Sequence, residues 1–357
     1  MKALIVTPLQ AGSGRIAEVP DPQMQSDEVR VRLRDVGVCG TDLEILNGEY
    51  GTAPEGEDHL IIGHESLGQV EDVGSEVEDL SVGDWVVAMV RRPDPIPCRN
   101  CAASEWDMCL NDLFVERGIK GRHGYLAELY TEQPRFLVQI SEKIAPIGVL
   151  LEPMAVAEKG IDHIRKIQSR LLWDPRRAIV LGAGPIGLLA GMLLRLDGIE
   201  VYFYDRSSAA IKRELAEEMG ATYVRADDCE LTALPETIGA VDIVFEATGY
   251  SPLAFDAMDV VGNNGIVCLS GVSGGERQYK IHADRLNMEM VLSNKVVFGT
   301  VNASPRHFEK SARHLTTIDA LLPGLLARMI TTRVQMDELL PSLESPSENI
   351  KKVVSFS

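Results

Sequence analysis

The fold of the second half of the chain follows from one stretch, Arg177-Ala178-Ile179-Val180-Leu181-Gly182-Ala183-Gly184-Pro185-Ile186-Gly187. Its first five residues form an apolar run typical of a buried parallel strand, and the apolar residues 188–196 predict a helix. A glycine-rich turn between a strand and a helix predicts a dinucleotide cradle, because the glycines let pyrophosphate approach backbone amides at the helix N-terminus. The residues predicted to bind the cofactor in this turn are Gly182, Gly184, Pro185, Ile186 and Gly187.

The alternation of strand and helix continues downstream of this turn. Strand-like runs occupy residues 200–204, 241–246 and 265–269, and the stretch 294–302 is predicted to be the last strand. Regular alternation of this kind predicts a doubly wound parallel sheet of the Rossmann type.

Asp205 directly follows the strand predicted at residues 200–204, about 20 positions after the glycines. A carboxylate at this position is expected to hydrogen-bond the adenosine ribose hydroxyls, which favours NAD and repels a 2′-phosphate. Arg206 and Ser207, followed by Ser208, are residue types that could hold such a phosphate. The sequence therefore predicts NAD, with NADP or use of both cofactors left open.

The first 150 residues have a different pattern. Residues 28–33 alternate polar and apolar side chains, which indicates a half-buried strand. Similar short runs at 67–70 and 84–88 are separated by glycine turns, and little helical pattern is present. This part of the chain is therefore predicted to be an all-β barrel or sandwich.

Two short motifs in this part suggest a metal ion. Val38-Cys39-Gly40-Thr41-Asp42 supplies a thiol, and Gly63-His64-Glu65 supplies an imidazole and a carboxylate. This combination of donors suits zinc, whereas an isolated cysteine would more simply be a buried structural residue. The co-occurrence of the motifs favours the metal interpretation.

A second cysteine cluster has the spacing Cys98-x2-Cys101-x7-Cys109. Cys-x2-Cys lets two thiolates from one turn grip a tetrahedral ion, but a closed structural zinc site needs four ligands. The remaining two cysteines, Cys229 and Cys268, lack partners at ligand spacing and are predicted to be structural.

The motifs Cys39-Gly40-Thr41-Asp42, Gly63-His64-Glu65-Ser66-Leu67-Gly68 and Val82-Gly83-Asp84 resemble those of the zinc-containing medium-chain alcohol and polyol dehydrogenases. The resemblance extends over nearly the whole chain, and the motifs follow the family's order. It implies an α/β protein in which a β-rich, GroES-like barrel is the catalytic zinc domain and a Rossmann-type domain binds the dinucleotide. The expected domains are 1–155 with 303–357, and 156–302.

The same resemblance implies the roles of the residues around the first motif. Cys39, His64 and Glu152 would be the direct ligands of a catalytic zinc, with Glu65 beside the ion and able to exchange with water or Glu152. Thr41 would hydrogen-bond the reacting oxygen and the cofactor ribose in a proton relay. Many relatives have a histidine where this chain has Glu44, so the proton exit stays open.

In the family's cysteine cluster four thiols bind a structural zinc, and the first of them falls here on Pro95, which cannot bind metal. The neighbouring Asp94 could supply an oxygen instead, giving a site of Asp94, Cys98, Cys101 and Cys109. Alternatively the site has been lost and packing alone holds the loop.

The segment 114–125 is similar to the archaeal-type glucose dehydrogenases, in which the residue matching Glu116 contacts sugar hydroxyls. By the same resemblance Glu152 lies in the substrate site and Asn302 contacts both substrate and cofactor. The predicted activity is zinc-dependent oxidation of an aldose, foremost glucose, at its anomeric carbon. Alternatives are a polyol, threonine or alcohol dehydrogenase and, from another class, a catalytically silent module that binds zinc or nucleotide.

Composition restricts the partners of the 357-residue chain. Its formal net charge of −18 argues against nucleic acid and anionic membranes, since both require basic surface. No apolar run approaches the roughly 18 residues that span a bilayer, and the six cysteines do not form a disulfide framework. A cytoplasmic location is expected, and the family resemblance implies a homo-oligomer, either a dimer or a tetramer.

Overall fold

The computed structural model describes residues 1–343 and 349–356, so positions 344–348 and 357 of the predicted catalytic domain lie outside the described residues. The strands are β1 (Lys2–Val6), β2 (Arg15–Glu18), β3 (Val29–Val38), β4 (Leu60–Ile61), β5 (Glu65–Val73), β6 (Trp85–Ala88), β7 (Arg91–Arg92), β8 (Val115–Arg117), β9 (Gly121–Arg122), β10 (Leu129–Glu132), β11 (Leu137–Ile140), β12 (Arg177–Leu181), β13 (Glu200–Asp205), β14 (Thr222–Arg225), β15 (Ile243–Glu246), β16 (Ile266–Leu269), β17 (Val296–Gly299), β18 (Ile330–Val334) and β19 (Lys351–Ser355). The helices are α1 (Gly40–Leu46), α2 (Arg99–Ala102), α3 (Leu151–Gln168), α4 (Pro185–Leu196), α5 (Ala210–Glu218), α6 (Leu234–Ile238), α7 (Ser251–Val260), α8 (Ala283–Leu292), α9 (Pro305–Leu321), α10 (Leu325–Met329) and α11 (Met336–Leu343).

The chain divides into two compact units, and the first combines Met1–Ala155 with Asn302–Ser357. Its largest sheet has the order β11-β6-β5-β3-β19-β18, with β10 also paired to β3. The long strand β3 lies at its centre because its valines and Leu33 alternate with arginines, which buries one face in the core. This pairing brings β19, from the far end of the sequence, against the strand that leads to Cys39.

Two small sheets complete the first unit. One has the order β2-β1-β4, and the other has the order β7-β8-β9. Strands β7 and β8 pair antiparallel, and the chain between them, residues 94–113, forms a loop that carries Cys98, Cys101 and Cys109. We call this loop the cysteine lobe.

The second unit, Val156–Val301, contains a six-stranded parallel sheet. Its order is β14-β13-β12-β15-β16-β17, which is the 3-2-1-4-5-6 arrangement of dinucleotide-binding folds. The apolar run of β12 is buried at the centre of the sheet, and the glycine-rich turn follows it directly. In such sheets the order reverses beside the first strand, so the turn after β12 lies at the edge where ligands bind.

The predicted fold class, a β-rich part combined with a doubly wound parallel sheet, is confirmed. The chain crosses from the first unit to the second after Ala155 and returns at Asn302. Assigning catalysis to one unit and cofactor binding to the other stays a prediction. Among the described helices, none combines the length and apolar character that a bilayer crossing requires.

Candidate active site

A thiol and an imidazole meet at the ends of two neighbouring strands in the first unit. Cys39 follows β3 and precedes α1, and His64 directly precedes β5, which pairs with β3. The ligand atoms of Cys39, His64 and Glu65 all lie within 4.8 Å of one another. His64 and Glu65 are buried, and Cys39 is half-buried.

Asp42, one turn after Cys39, orients both donors. Its Oδ2 accepts a hydrogen bond from the Cys39 amide at 2.8 Å, and its Oδ1 accepts one from the Gly63 amide at 3.2 Å. Oδ1 also lies 3.3 Å from His64 Nδ1, although the two are not aligned as a hydrogen bond. Because Nδ1 faces this carboxylate, Nε2 is the nitrogen left for a metal ion, as in carboxylate–histidine–zinc arrangements.

The charge of Asp42 also raises the pKa of the His64 imidazole. Burial alone would lower the pKa of His64, but the facing Asp42 carboxylate and the Cys39 thiol outweigh it and raise the pKa well above its usual value. Nothing in the spacing of the motif predicted a positioning role for Asp42.

Glu65 is held by a buried lysine. Lys351 Nζ, on β19, donates to both carboxylate oxygens of Glu65 at 2.7 and 2.6 Å and to the Val38 carbonyl at 3.3 Å. The side chains of Glu65 and Lys351 are each only 2% exposed. A Cβ at position 37 would lie 2.0 Å from Glu65 Oε2, so a residue larger than Gly37 would displace the Glu65 carboxylate from its place beside Lys351. The structure therefore places Glu65 beside the thiol and imidazole with both of its oxygens occupied.

Glu152 lies in the first turn of α3 and is buried, but it is not part of the 4.8 Å group. Burial raises the pKa of Glu152 to about 7, with Glu65 adding to the rise while His64 and Lys351 oppose it. A carboxylate in this position gains most from a cation nearby. The predicted third ligand thus lies in the electrostatic neighbourhood of the site rather than within its tightest group.

These donors fit a zinc ion. The set consists of one free thiol, one imidazole whose second nitrogen faces a carboxylate, and acidic side chains buried around them. Sulfur, nitrogen and oxygen are the atoms that zinc takes in catalytic sites. Buried ionisable groups of this kind are costly unless they are paired with one another or with a metal.

Glu116 and Asn302 were both predicted to contact substrate, and the structure brings them together. Oε1 of the buried Glu116 accepts hydrogen bonds from Arg91 Nε at 3.1 Å, Arg91 Nη2 at 3.0 Å and Asn302 Nδ2 at 2.8 Å. Oε2 receives none of these three bonds. Asn302 has a left-handed backbone with φ 60°, and its Oδ1 accepts from the Ala303 amide at 2.7 Å.

Arg91 is the residue of this group that the sequence did not indicate. It is buried, its guanidinium lies 3.6 Å from the centroid of the Phe114 ring, and Nη1 donates to the Asp107 carbonyl at 3.1 Å. It therefore holds Glu116 in place from the neighbouring strand β7. Thr41, which was also predicted to contact substrate, lies half-buried in the first turn of α1.

The glycine-rich turn of the second unit has the geometry that its sequence predicts. Gly182 has φ +92°, and a Cβ on Gly187 would lie 1.9 Å from the Gly182 carbonyl oxygen, so neither position admits another residue easily. Helix α4 begins at Pro185, where a missing N–H costs nothing. Of the other predicted cradle residues, Gly184 is the N-cap of α4 and Ile186 lies in its first turn.

Asp205 lies at the end of β13 beside the turn. Its Oδ2 accepts from the Ala183 amide at 2.6 Å, and its Oδ1 accepts from the Ser207 amide at 2.7 Å. Lys212 Nζ, from α5, lies 3.2 Å from Oδ2 and offsets the carboxylate charge. Arg206 is exposed and Ser207 is half-buried. Lys212 is a neighbour of the predicted cofactor residue Asp205 that the sequence did not indicate.

In the cysteine lobe the sulfur atoms of Cys98, Cys101 and Cys109 lie within 4.8 Å of one another. Cys98 Sγ accepts from the Cys101 amide at 3.5 Å and the Leu110 amide at 3.4 Å, and these backbone bonds lower the pKa of Cys98 to about 7. Asp94 does not join the thiols, although it was proposed as their fourth partner. Its two oxygens accept instead from the Ile96 amide and from the side chain of Asn111.

Family models match two parts of the chain. The model of the glucose dehydrogenase C-terminus matches residues 145–356, and that of the alcohol dehydrogenase GroES-like domain matches residues 25–142.

Individual relatives match over full length. The chain is 44% identical to a glucose 1-dehydrogenase of Methanocella arvoryzae, covering 100% of this chain and 99% of the relative. It is 38% identical to a glucose 1-dehydrogenase of Thermoproteus tenax, with 99% of each covered.

A solved structure of Haloferax mediterranei glucose dehydrogenase, in complex with NADP, Zn and gluconolactone, has a TM-score of 0.91 to this chain. The two are 34% identical, with 100% of this chain and 99% of the other covered. The sequence motifs, the two-unit fold and these full-length matches agree, and the chain belongs to the glucose dehydrogenase family of zinc-dependent medium-chain dehydrogenases.

Proposed function

We propose that this protein oxidises glucose at the anomeric carbon to the lactone and passes the hydride to NAD or NADP in a zinc-dependent reaction. The observation that carries the proposal is the Glu116–Arg91–Asn302 group in a unit that also holds the Cys39–His64–Glu65 group. The relative from Haloferax, whose structure holds NADP, Zn and gluconolactone, adds support because it matches over the full length.

The residues of the thiol–imidazole group would hold and surround the metal. When bound, zinc supplies Lewis acidity to the sugar hydroxyl, and a bound nicotinamide accepts the hydride. Cys39, His64 and Glu152 would be the direct ligands, and Lys351 keeps Glu65 beside them. Thr41 would accept a hydrogen bond from the anomeric hydroxyl and pass its proton towards solvent. The sugar thereby loses one hydride and one proton and gains a carbonyl group.

Glu116 and Asn302 would select the sugar. Arg91 and Asn302 both donate to Glu116 Oε1, so Oε2 is the oxygen proposed to accept hydrogen bonds from sugar hydroxyls. A carboxylate can accept from two neighbouring hydroxyls at once, which an alcohol or threonine substrate does not offer. This arrangement favours an aldose or a polyol over a simple alcohol or threonine, and the glucose dehydrogenase relatives favour the aldose.

The turn after β12 and Asp205 would bind the dinucleotide. Asp205 can accept from the ribose hydroxyls of NAD, whereas Arg206 and Ser207 are available to a 2′-phosphate. Lys212, at 3.2 Å from Asp205, reduces the repulsion that this carboxylate would exert on NADP. We therefore propose NAD as cofactor, with use of NADP as well.

Two measurements test the activity. Initial rates on glucose, galactose, xylose, a polyol and threonine with both cofactors should be highest with glucose, and chelator dialysis should abolish them. Turnover that survives complete metal removal would contradict the zinc-dependent mechanism. No turnover over the whole panel by the zinc-loaded protein would favour a silent binding module.

Replacement of Glu116 by Ala tests the sugar site. The Michaelis constant for glucose should rise about 10-fold to 100-fold, because hydrogen bonds to a charged group are worth about 1.5–3 kcal/mol. The Michaelis constant for the cofactor should change little. Replacement of the exposed Glu78 by Ala is the matched control and should alter neither constant. Equal changes in both constants for Glu116→Ala would remove this residue from the sugar site.

We further propose a cytoplasmic homo-oligomer, a dimer or a tetramer. Within the described chain, strand β17 pairs only with β16 and so ends the parallel sheet with a free edge. Helix α8 leaves Met288, Val291 and Leu292 more than half exposed, an apolar surface suited to a second copy. The free thiols suit a reducing compartment. Light scattering should give a mass of two or four chains, and a monomer would contradict the proposal.

A further inference from the structure

The cysteine lobe gathers three free thiols away from the catalytic residues in the sequence. Cys98 and Cys109 are half-buried and Cys101 is buried. Their sulfur atoms lie within 4.8 Å of one another, which is compatible with a single ion at the metal–sulfur distance of about 2.3 Å that zinc prefers. The three thiols are therefore already grouped as ligands.

The backbone around Cys98 suits a thiolate. Its Sγ accepts hydrogen bonds from two amides, those of Cys101 and Leu110, at 3.5 and 3.4 Å. Hydrogen bonds to an ionised acceptor are stronger than those to a neutral one, so this environment favours the charged form that binds metal. The bond from the Cys101 amide caps helix α2, whose N-cap is Cys98, and the bond from the Leu110 amide comes from another part of the lobe.

A fourth protein ligand is missing from the group. Pro95 occupies the position of the first thiol in the family pattern and offers no donor atom. Asp94 Oδ1 accepts from the Ile96 amide at 2.8 Å, and Oδ2 accepts from Asn111 Nδ2 at 2.6 Å. Among the described His, Cys, Asp and Glu side chains, none besides the three cysteines belongs to this group.

The surroundings of the thiols are open to solvent. Ile96 is 73% exposed and Leu110 is 59% exposed, and both flank the cluster in the chain. Cys98 and Cys109 are themselves only half-buried, so two of the three cysteines are partly exposed to solvent.

We propose that the cysteine lobe is an open metal site. It binds one thiophilic d10 ion such as Zn²⁺ or Cd²⁺ through Cys98, Cys101 and Cys109, and it leaves the fourth coordination position to water or a small exogenous ligand. Binding releases the protons of the three thiols and forms three metal–sulfur bonds. The ion is consequently exchangeable, in contrast to the ion of a closed four-ligand structural site.

Cobalt substitution of the whole reduced protein tests the proposal, because the visible bands of Co²⁺ report its ligands and geometry. The difference spectrum between the unmodified protein and Cys98→Ser isolates the lobe from the Cys39 site. We expect one more ion per chain than in Cys98→Ser. We also expect the difference bands to shift when imidazole is added.

Pro95→Cys is designed to close the site with a fourth thiol. Its lobe bands should no longer respond to imidazole, and loss of the lobe ion to a chelator should be slowed about tenfold or more, a scale typical for altered metal surroundings. Asp94→Asn should keep the lobe ion and its response to imidazole. Cys109→Ser replaces Cys98→Ser as the reference if the latter does not fold.

Three results would overturn the proposal. Equal metal content in the unmodified protein and in both cysteine variants would show that the lobe binds no ion. Loss of the lobe ion in Asp94→Asn would make Asp94 a ligand. If the visible Co²⁺ bands of the lobe ion in the unmodified protein do not shift when imidazole is added, the fourth coordination position is closed. None of these results depends on whether the protein oxidises glucose.

Discussion

The first unit contains two cysteine-based clusters that differ in depth. Next to Cys39 and His64, the charge of Glu65 is buried together with its partner Lys351, and both side chains are only 2% exposed. The cysteine lobe is a loop with exposed apolar residues, and its buried Asp94 is satisfied by a backbone amide and an amide side chain. Burial makes the first cluster rigid and intolerant of change, and exposure makes the second one tolerant and exchangeable.

Both clusters nevertheless lie next to buried ion pairs, which are Glu65–Lys351 at the first cluster and the Glu132 network at the base of the lobe. The lobe begins after β7 and ends before β8, and these strands are tied together by Glu132. Its carboxylate receives hydrogen bonds from Arg92 and Arg117, one arginine on each strand. The loop itself is thus exposed, but a buried ion-pair network fixes both of its ends.

The largest expected effect is on catalysis. His64→Ala should lower kcat/KM with glucose about 10³-fold or more, since Lewis-acid stabilisation is worth several kcal/mol. The variant should lose the ion of the Cys39 cluster and keep the ion of the cysteine lobe. Metal analysis alongside kinetics checks both points. Full activity in a variant that has lost this ion would show that the deep cluster is not the catalytic centre.

Lys351→Met should have the largest effect on stability. It leaves the Glu65 charge buried without its partner, which typically costs about 3–5 kcal/mol of the free energy of unfolding. Urea denaturation measures the loss. The double variant Lys351→Met with Glu65→Leu should recover part of it, because no charge then remains buried. A single variant as stable as the unmodified protein would mean that solvent reaches Glu65.

Glu132→Gln should cost about 3 kcal/mol, towards the lower end for a buried network because the amide oxygen still accepts hydrogen bonds. Burial opposes ionisation of Glu132, but Arg92, Arg117 and Arg122 outweigh it and lower its pKa. A lowered pKa gives a contribution that is fully present above the unfolded value of about 4.3 and is lost as the pH falls below it.

The difference in unfolding free energy between Glu132→Gln and the unmodified protein should therefore be constant from about pH 5 upwards and shrink in acid. Denaturation at several pH values measures it. A difference that grows on acidification would contradict the assigned pairing.

Glu105→Gln should have the smallest effect. Glu105 lies in the cysteine lobe and pairs with Arg306, with side-chain exposures of 37% and 42%. Exposed ion pairs contribute about 0–1 kcal/mol, so thermal denaturation should change little. A loss of stability as large as that of Glu132→Gln would show that contacts on the surface of the lobe, rather than the ion pairs at its base, stabilise the lobe.

Local features of the fold and site could be predicted from the sequence. The glycine spacing at 182–187 predicts a tight turn between a strand and a helix. Asp205 follows at the distance along the chain that is typical of dinucleotide-binding folds. Cys39 and His64 sit at the ends of strands that the alternation pattern identifies. In these cases the physical requirement acts over a few residues, so spacing carries the information.

Partners from distant parts of the chain could not be predicted in this way. Lys351 stands in a strand pattern that gives no hint of a carboxylate 286 positions earlier, and Arg91 is separated from Glu116 by the whole cysteine lobe. Asp94 is a further example, because it adjoins the position of the first thiol in sequence while its carboxylate accepts from the Ile96 amide and the Asn111 side chain. Such contacts depend on strand register, which the pattern of one strand does not determine.

The pairing of Glu65 with Lys351 also has a consequence for biosynthesis. The second unit is encoded between the two residues, so a ribosome adding about 5–20 residues per second makes Lys351 roughly 15–60 s after Glu65. During that interval β3 has no β19 beside it, and the carboxylate of Glu65 on the neighbouring strand β5 has no ammonium group to pair with. The largest sheet of the first unit is therefore completed only after the whole second unit has been synthesised.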